Sequence, residues 1–153
     1  MSQRNQSAGK AAKITYWIAT LWLALGMVAT GLVQLSKGKG GQGGLDMVTH
    51  LGYPAYLLTM LGVWKILGVV ALLIPKSPLL KEWAYAGFFF LMVGAIFSHI
   101  AVGDAAVEIF PSLLLLILTI VSWYFRPLSR KIIQQAPAIN VGDTAQATQL
   151  VNH

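Results

Sequence analysis

The stretch TMLGVWKILGVVALLIP, Thr59 to Pro75, decides how the rest of the chain is read. It is apolar nearly throughout, yet Lys65 sits at its centre. A membrane helix needs roughly 20 predominantly apolar residues, and this stretch with its flank meets that length. Three further stretches do the same, placing spans at about 14–35, 56–74, 83–101 and 109–125. Composition agrees. The 153 residues are 56% hydrophobic and 10% charged, where an ordinary soluble domain carries about 25% charged residues. Mean hydropathy is +0.66, and a soluble domain this small has too little interior to hide so much apolar surface. The expected fold is all-α: a polytopic membrane protein, a bundle of four transmembrane helices in a lipid bilayer. The first stretch also invites reading as a secretory signal. Its apolar run is too long and no small-x-small cleavage site closes it, so it reads as a retained helix.

The net charge of +6 raises a nucleic-acid partner. Its distribution excludes one, because the basic residues flank apolar runs instead of forming a patch with interleaved aromatics. Arg4, Lys10, Lys13, Lys76, Lys81, Arg126, Arg130 and Lys131 fall on one side of the expected bundle, and Lys37 and Lys39 on the other. Eight against two puts both termini in the cytoplasm. Trp17, Trp83, Trp123 and Tyr124 then lie at that interface as an aromatic belt. The absence of cysteine excludes disulfides, thiol redox chemistry and cysteine-ligated iron–sulfur clusters from this chain.

Three regions follow: a basic cytoplasmic N-terminus at 1–13, the transmembrane domain at 14–127, and a small, polar cytoplasmic tail at 128–153 with a disordered composition. KGKGGQGG, Lys37 to Gly44, reads as a flexible linker. LDMVTHLGYP, Leu45 to Pro54, reads as a short helical turn capped by Asp46, broken at Gly52, with Leu45, Val48 and Leu51 inward. PKSPLLKE is a short connection that makes spans two and three antiparallel neighbours.

Helical spacing assigns each span an interior stripe. In the first it is Thr20, Ala24, Met27, Gly31 and Gln34; in the fourth Glu108, Ser112, Leu115, Thr119, Ser122 and Arg126. In the third it is Ala84, Gly87, Leu91, Ala95 and Ser98, with His99 alongside. In the second, Gly62 and Gly68 flank Lys65 and let a neighbouring helix approach. Lys65 therefore points inward, where a lysine costs about 2.5–3.5 kcal/mol unless a partner or water meets it. His50, His99, Asp104 and Glu108 cluster toward the external ends of the spans, so the polar groups outline a cavity with a cation at its floor. Two readings of Lys65 stand side by side: a ligand-binding group, or a structural pin bonded to a carbonyl or to Glu108. Asp104 reads more readily as a helix cap than as a ligand. His50 and His99 as axial haem ligands are disfavoured against plain polar helix ends. Pro111 reads as a helix-entry feature and Phe88-Phe89-Phe90 as lipid-facing and packing residues. No metal-binding triad is present, and Asp104 with Glu108 lacks the nucleophile that paired acid–base chemistry would need.

HLGYPAYLLTMLGVWKILGVVALLIP, LKEWAYAGFFFLMVGAIFSHIAVGD and SWYFRP, in this order, resemble the bacterial DoxX-like family of small four-helix membrane proteins. The resemblance runs from Tyr16 to about Pro127 and marks Tyr53, Pro54, Tyr56, Lys65, Gly68, Glu82, Tyr85, Gly87, Ser98, His99, Gly103 and Asp104. It implies a bacterial plasma membrane location and association with membrane oxidoreductase systems, including thiosulfate:quinone chemistry. The expected function is an accessory subunit, not a stand-alone enzyme, binding a quinone headgroup or small anion beside other redox subunits. Lys65, His99, Asp104, Glu108, His50, Tyr53 and Tyr56 are the candidate ligand-binding residues. The rival readings are a small-molecule or lipid transporter and a scaffold without chemistry of its own.

Overall fold

Helix-forming apolar runs divided by glycine and proline produce five helices in a computed structural model that describes residues 2–36, 44–127 and 130–132. They are α1 (Ser2–Leu35), α2 (Leu45–His50), α3 (Tyr56–Leu73), α4 (Pro78–Val102) and α5 (Ala106–Tyr124). α1 from Gly9 onward, α3, α4 and α5 are long and apolar enough to cross a membrane. The expected linker over Lys37–Gly43 and most of the tail lie outside the described residues.

Local chemistry sets the helix ends. Pro78 occupies the first turn of α4, where its fixed φ suits the helix and its missing N–H costs nothing. α4 stops at Gly103, whose left-handed φ of 78° lets the Gly103 and Asp104 amides bond back to the Ile100 and His99 carbonyls. Gly52, at φ 81°, breaks the chain after α2. α2 itself is capped by Gly44, and Asp46 sits in its first turn without capping it, contrary to expectation. α4 begins at Pro78, ahead of the expected 83, so Lys81 and Glu82 belong to a helix instead of a loop. α5 begins at Ala106, which puts Pro111 inside the helix and not at its entry.

The four long helices alternate in direction. α1 packs on α3 and α5, and α4 packs on the same two, giving the ring α1–α3–α4–α5. The start of α1 and the end of α5 lie toward one end, here the terminal end, and α2 lies at the other, the α2 end. Between them an apolar layer contains Leu23, Ala24, Met27, Val69, Leu72, Tyr85, Phe88 and Met92. The whole expected stripe of α1 is buried, as are Thr119 and Ser122 of α5 and Arg126 just beyond its end. α4 keeps Ala84, Ser98 and His99 of its expected face buried, but its middle is rotated. Phe88 and Met92 are 3% exposed, whereas Gly87 faces outward.

Gly68 explains the rotation: a Cβ there would stand 2.6 Å from the Phe88 ring, so the aromatic fills the space the glycine leaves. Gly62 does the same for α1. Its Cβ would lie 2.9 Å from the Gly31 carbonyl oxygen and 2.8 Å from Leu35. In hydrocarbon, where covering apolar surface brings no solvent-driven gain, such close packing holds helices together.

Candidate functional site

The interior toward the α2 end opens into a cavity of about 290 Å³ to which all five helices contribute. Its walls are mainly apolar, including Leu57, Leu61, Phe90, Leu91 and Leu115, and Met47 and Val48 of α2 with Leu51 after it cover it. Thr30, Gln34, Tyr53, Lys65, Ser98, His99 and Ser112 bring polar groups to it. Lys65 is 6% exposed and donates to Thr30 Oγ1 at 3.1 Å. Thr30 in turn donates to the Gly26 carbonyl at 2.8 Å, so its proton is committed and its lone pair faces the ammonium. Among the described residues neither a carbonyl nor Glu108 holds Lys65, which corrects both partners expected for a structural pin. Gln34 is 4% exposed, and its Oε1 has no hydrogen-bond partner among the described residues. A buried acceptor left unmet costs about 1–3 kcal/mol.

Asp104 gathers the mouth of the cavity. His99 Nδ1 donates to Oδ2 and His50 Nε2 to Oδ1, both at 2.7 Å. The acceptor-only carboxylate fixes these tautomers and joins α2 to the end of α4. Asp104 therefore caps no helix; Ala105 occupies the N-cap position of α5. The two imidazole bonds, His50 first, hold the Asp104 carboxyl below the usual carboxylate range. The pair does not suit haem, because both rings converge on one carboxylate with no macrocycle's width between them. Among the described residues no group of three acidic or imidazole side chains is placed to hold a metal. Tyr53 extends the closure: Ser98 donates to the Gly94 carbonyl at 2.8 Å, so the Tyr53 hydroxyl donates to Ser98 Oγ, also at 2.8 Å.

Of the seven candidates, Lys65, His99 and Tyr53 line the cavity, and Asp104 and His50 latch its rim. Tyr56 is 71% exposed and does not join them. Glu108 lies in the first turn of α5, outside the cavity lining. Thr30 was missed and Gln34 was read only as an interior position, although polar residues four apart in an apolar span were a visible signal.

A second polar group occupies the terminal end. Tyr85 donates to Ser122, Ser122 to Thr20, and Thr20 to the Tyr16 carbonyl, an order set by Thr20's committed proton. Lys81, fully buried, donates to the carbonyls of Ala71, Leu72 and Ile74, satisfying the C-terminus of α3. Arg126 pairs with Glu82, which also accepts from Trp123 Nε1 at 3.0 Å.

With this arrangement in view, comparison with known proteins places the chain. The model of the DoxX-like family matches residues 18–122. The chain belongs to the DoxX-like family. The match takes in α3 and α4 whole, α1 from Ile18, α5 as far as Ser122, and every polar group of the cavity. No curated protein and no solved structure matches it. Within this DoxX-like bundle the Asp104 latch makes one prediction. Asp104→Asn keeps the shape but removes the carboxylate, so amide exchange across Val48–Leu51 should quicken at neutral pH. In the unchanged protein, the lowered Asp104 pKa contributes stability that is complete above the unfolded value of about 3.9. It is lost as pH falls through the depressed folded value, and exchange should quicken there. Unaltered exchange in the variant would remove the latch from the description.

Proposed function

We propose that the protein holds a small ligand with a carbonyl or anionic head, foremost a quinone headgroup, in the cavity around Lys65. On this reading it is an accessory subunit of a quinone-linked redox system in the bacterial plasma membrane. The observation that carries the reading is Lys65, buried within apolar walls that Gln34 also lines, its one hydrogen bond among the described residues going to Thr30. Among the described residues one hydroxyl acceptor leaves other donors of the ammonium unmet, and a ligand oxygen supplies what they need. At about 290 Å³ the cavity stands at the lower limit of the roughly 300–1,000 Å³ typical of small-molecule sites. That suits one ring, with any tail passing out between helices. His99, donating through Nδ1 to Asp104, keeps Nε2 as an acceptor for proton exchange in its neutral form.

A transport path finds less support, because the apolar layer around Leu23, Met27, Phe88 and Met92 closes the bundle beyond the cavity. The basic residues Lys10, Lys13, Lys76, Lys81, Arg126, Arg130 and Lys131 gather toward the terminal end, which supports cytoplasmic termini and an external cavity. One experiment tests ligand and side together. Met47→Cys places the only thiol of the chain on the cavity cover. It should react with an impermeant maleimide added to intact cells, and a short-chain quinone analogue should slow the reaction. Labelling without protection by quinone or by small anions would sink the ligand reading. Labelling confined to inverted membranes would reverse the orientation.

A further inference from the structure

Gly26, Gly31, Gly62 and Gly68, inside the bundle, mark close contact between helices. A Cβ on Gly26, Gly62 or Gly68 would come within 2.6–2.8 Å of a neighbouring helix's side chain. Gly87 and Gly94 of α4 depart from this. A Cβ on either would meet nothing within 4 Å, although glycine weakens a helix interior relative to alanine. They lie on one stripe with Trp83, Phe90, Phe97 and Ala101, at intervals alternating between four and three residues. That is the heptad spacing of a left-handed helix pair, with an aromatic at one seam position and Gly or Ala at the other. All six are exposed, the three aromatics at 68%, 71% and 70%. Beside them runs an apolar groove of about 620 Å³, walled by Trp64, Leu67 and Ala71 of α3.

We propose that this face of α4 docks against the same face of a second copy, forming a parallel two-fold dimer within the membrane. Lipid tails cover any apolar face, so exposure alone selects no protein partner. Shape does, because close backbone approach and interlocking side chains drive helix association in lipid. Two copies inserted with the same topology have parallel α4 helices when the two-fold axis follows the membrane normal. In that register each Phe90 enters the hole between residues 87 and 94 of the other copy, where both seam positions are glycine. Ridge and holes occupy one surface, as an isologous contact requires. Aromatics bury about 150–250 Å² each when fully covered, and with roughly 70% of each still exposed the three supply roughly 300–500 Å² per copy. The groove walls carry the contact toward the about 800 Å² per partner of a standard interface. Ser98 and His99 turn from the seam into the cavity, and Phe90 and Gly94 border both, so the seam runs beside the cavity.

Because the natural chain has no cysteine, single introduced thiols report the contact. Gly87→Cys in native membranes should give an oxidant-dependent disulfide dimer, whereas Leu113→Cys, exposed on α5, should not. Single-molecule photobleaching in liposomes should show two copies per spot for the unchanged protein. Gly94→Leu, at a position where an added Cβ meets nothing within 4 Å, should lower the association constant at least tenfold while helicity and melting are kept. Single copies at every protein density would overturn the proposal. So would equal cross-linking at Leu113, or a Gly94→Leu protein that dimerises as before.

Discussion

Replacing Lys65 by methionine should leave a bundle that folds at least as well as the natural one and has lost its ligand. Methionine keeps the length and removes a buried charge whose one bond, to Thr30, offsets little of its desolvation. Thr30 retains its bond to the Gly26 carbonyl, so no hydroxyl proton is stranded. Thermal stability in detergent should be unchanged or higher. Binding should fall by about 10- to 150-fold, the equivalent of the roughly 1.5–3 kcal/mol of a hydrogen bond to a charged group. Lys65→Arg is the informative companion: it keeps the charge but presents a planar fork, which a cavity shaped for an ammonium should reject. Equal binding by the natural and methionine proteins would make Lys65 a pin and end the ligand reading.

The largest loss of stability is expected at the terminal end. Glu82→Leu leaves the Arg126 guanidinium, 4% exposed, without its carboxylate, and its Nε and NH1 already lack partners among the described residues. Breaking a buried pair from one side costs about 3–5 kcal/mol. Glu82 is 32% exposed, so about 3 kcal/mol is expected. The stacking of Arg126 near the Tyr85 ring, 5.5 Å from its centroid, offsets part of the loss. Unfolding in mixed micelles measures it. Adding Arg126→Met to Glu82→Leu should recover most of the difference, since an absent charge needs no partner. A single Glu82→Leu change costing under about 1 kcal/mol would show that the pair is not a buried one in energetic terms.

Much of this was legible in the chain. Four spans, their alternation and the inward placement of Lys65 follow from apolar run length and from the glycines on either side of it. The stripe of α1 was readable to the residue, because Thr20, Gly31 and Gln34 are small or polar in a helix otherwise suited to lipid. Lys81 was not. As a basic residue beside PKSP it reads as a loop charge, and only the early start of α4 at Pro78 turns it onto the α3 carbonyls. Asp104 likewise reads as a cap until His50 and His99, far apart in sequence, are seen on its two oxygens.

The division has one physical cause. Whether a segment crosses a membrane is a local property, summed over about 20 consecutive side chains and decided by their transfer energies. Which face of that segment turns inward is not, because lipid and protein interior are both apolar and neither repels a Leu or a Phe. Phe88 faces the core and Phe90 faces outward at nearly the same solvation cost. The space left by Gly68 makes that choice. The amino-acid sequence by itself thus determined the helices, their number and the charge at their centre. Tertiary packing alone decided how each helix rotates, and with it the Lys65–Thr30 contact, the Asp104 latch and the shape of the cavity.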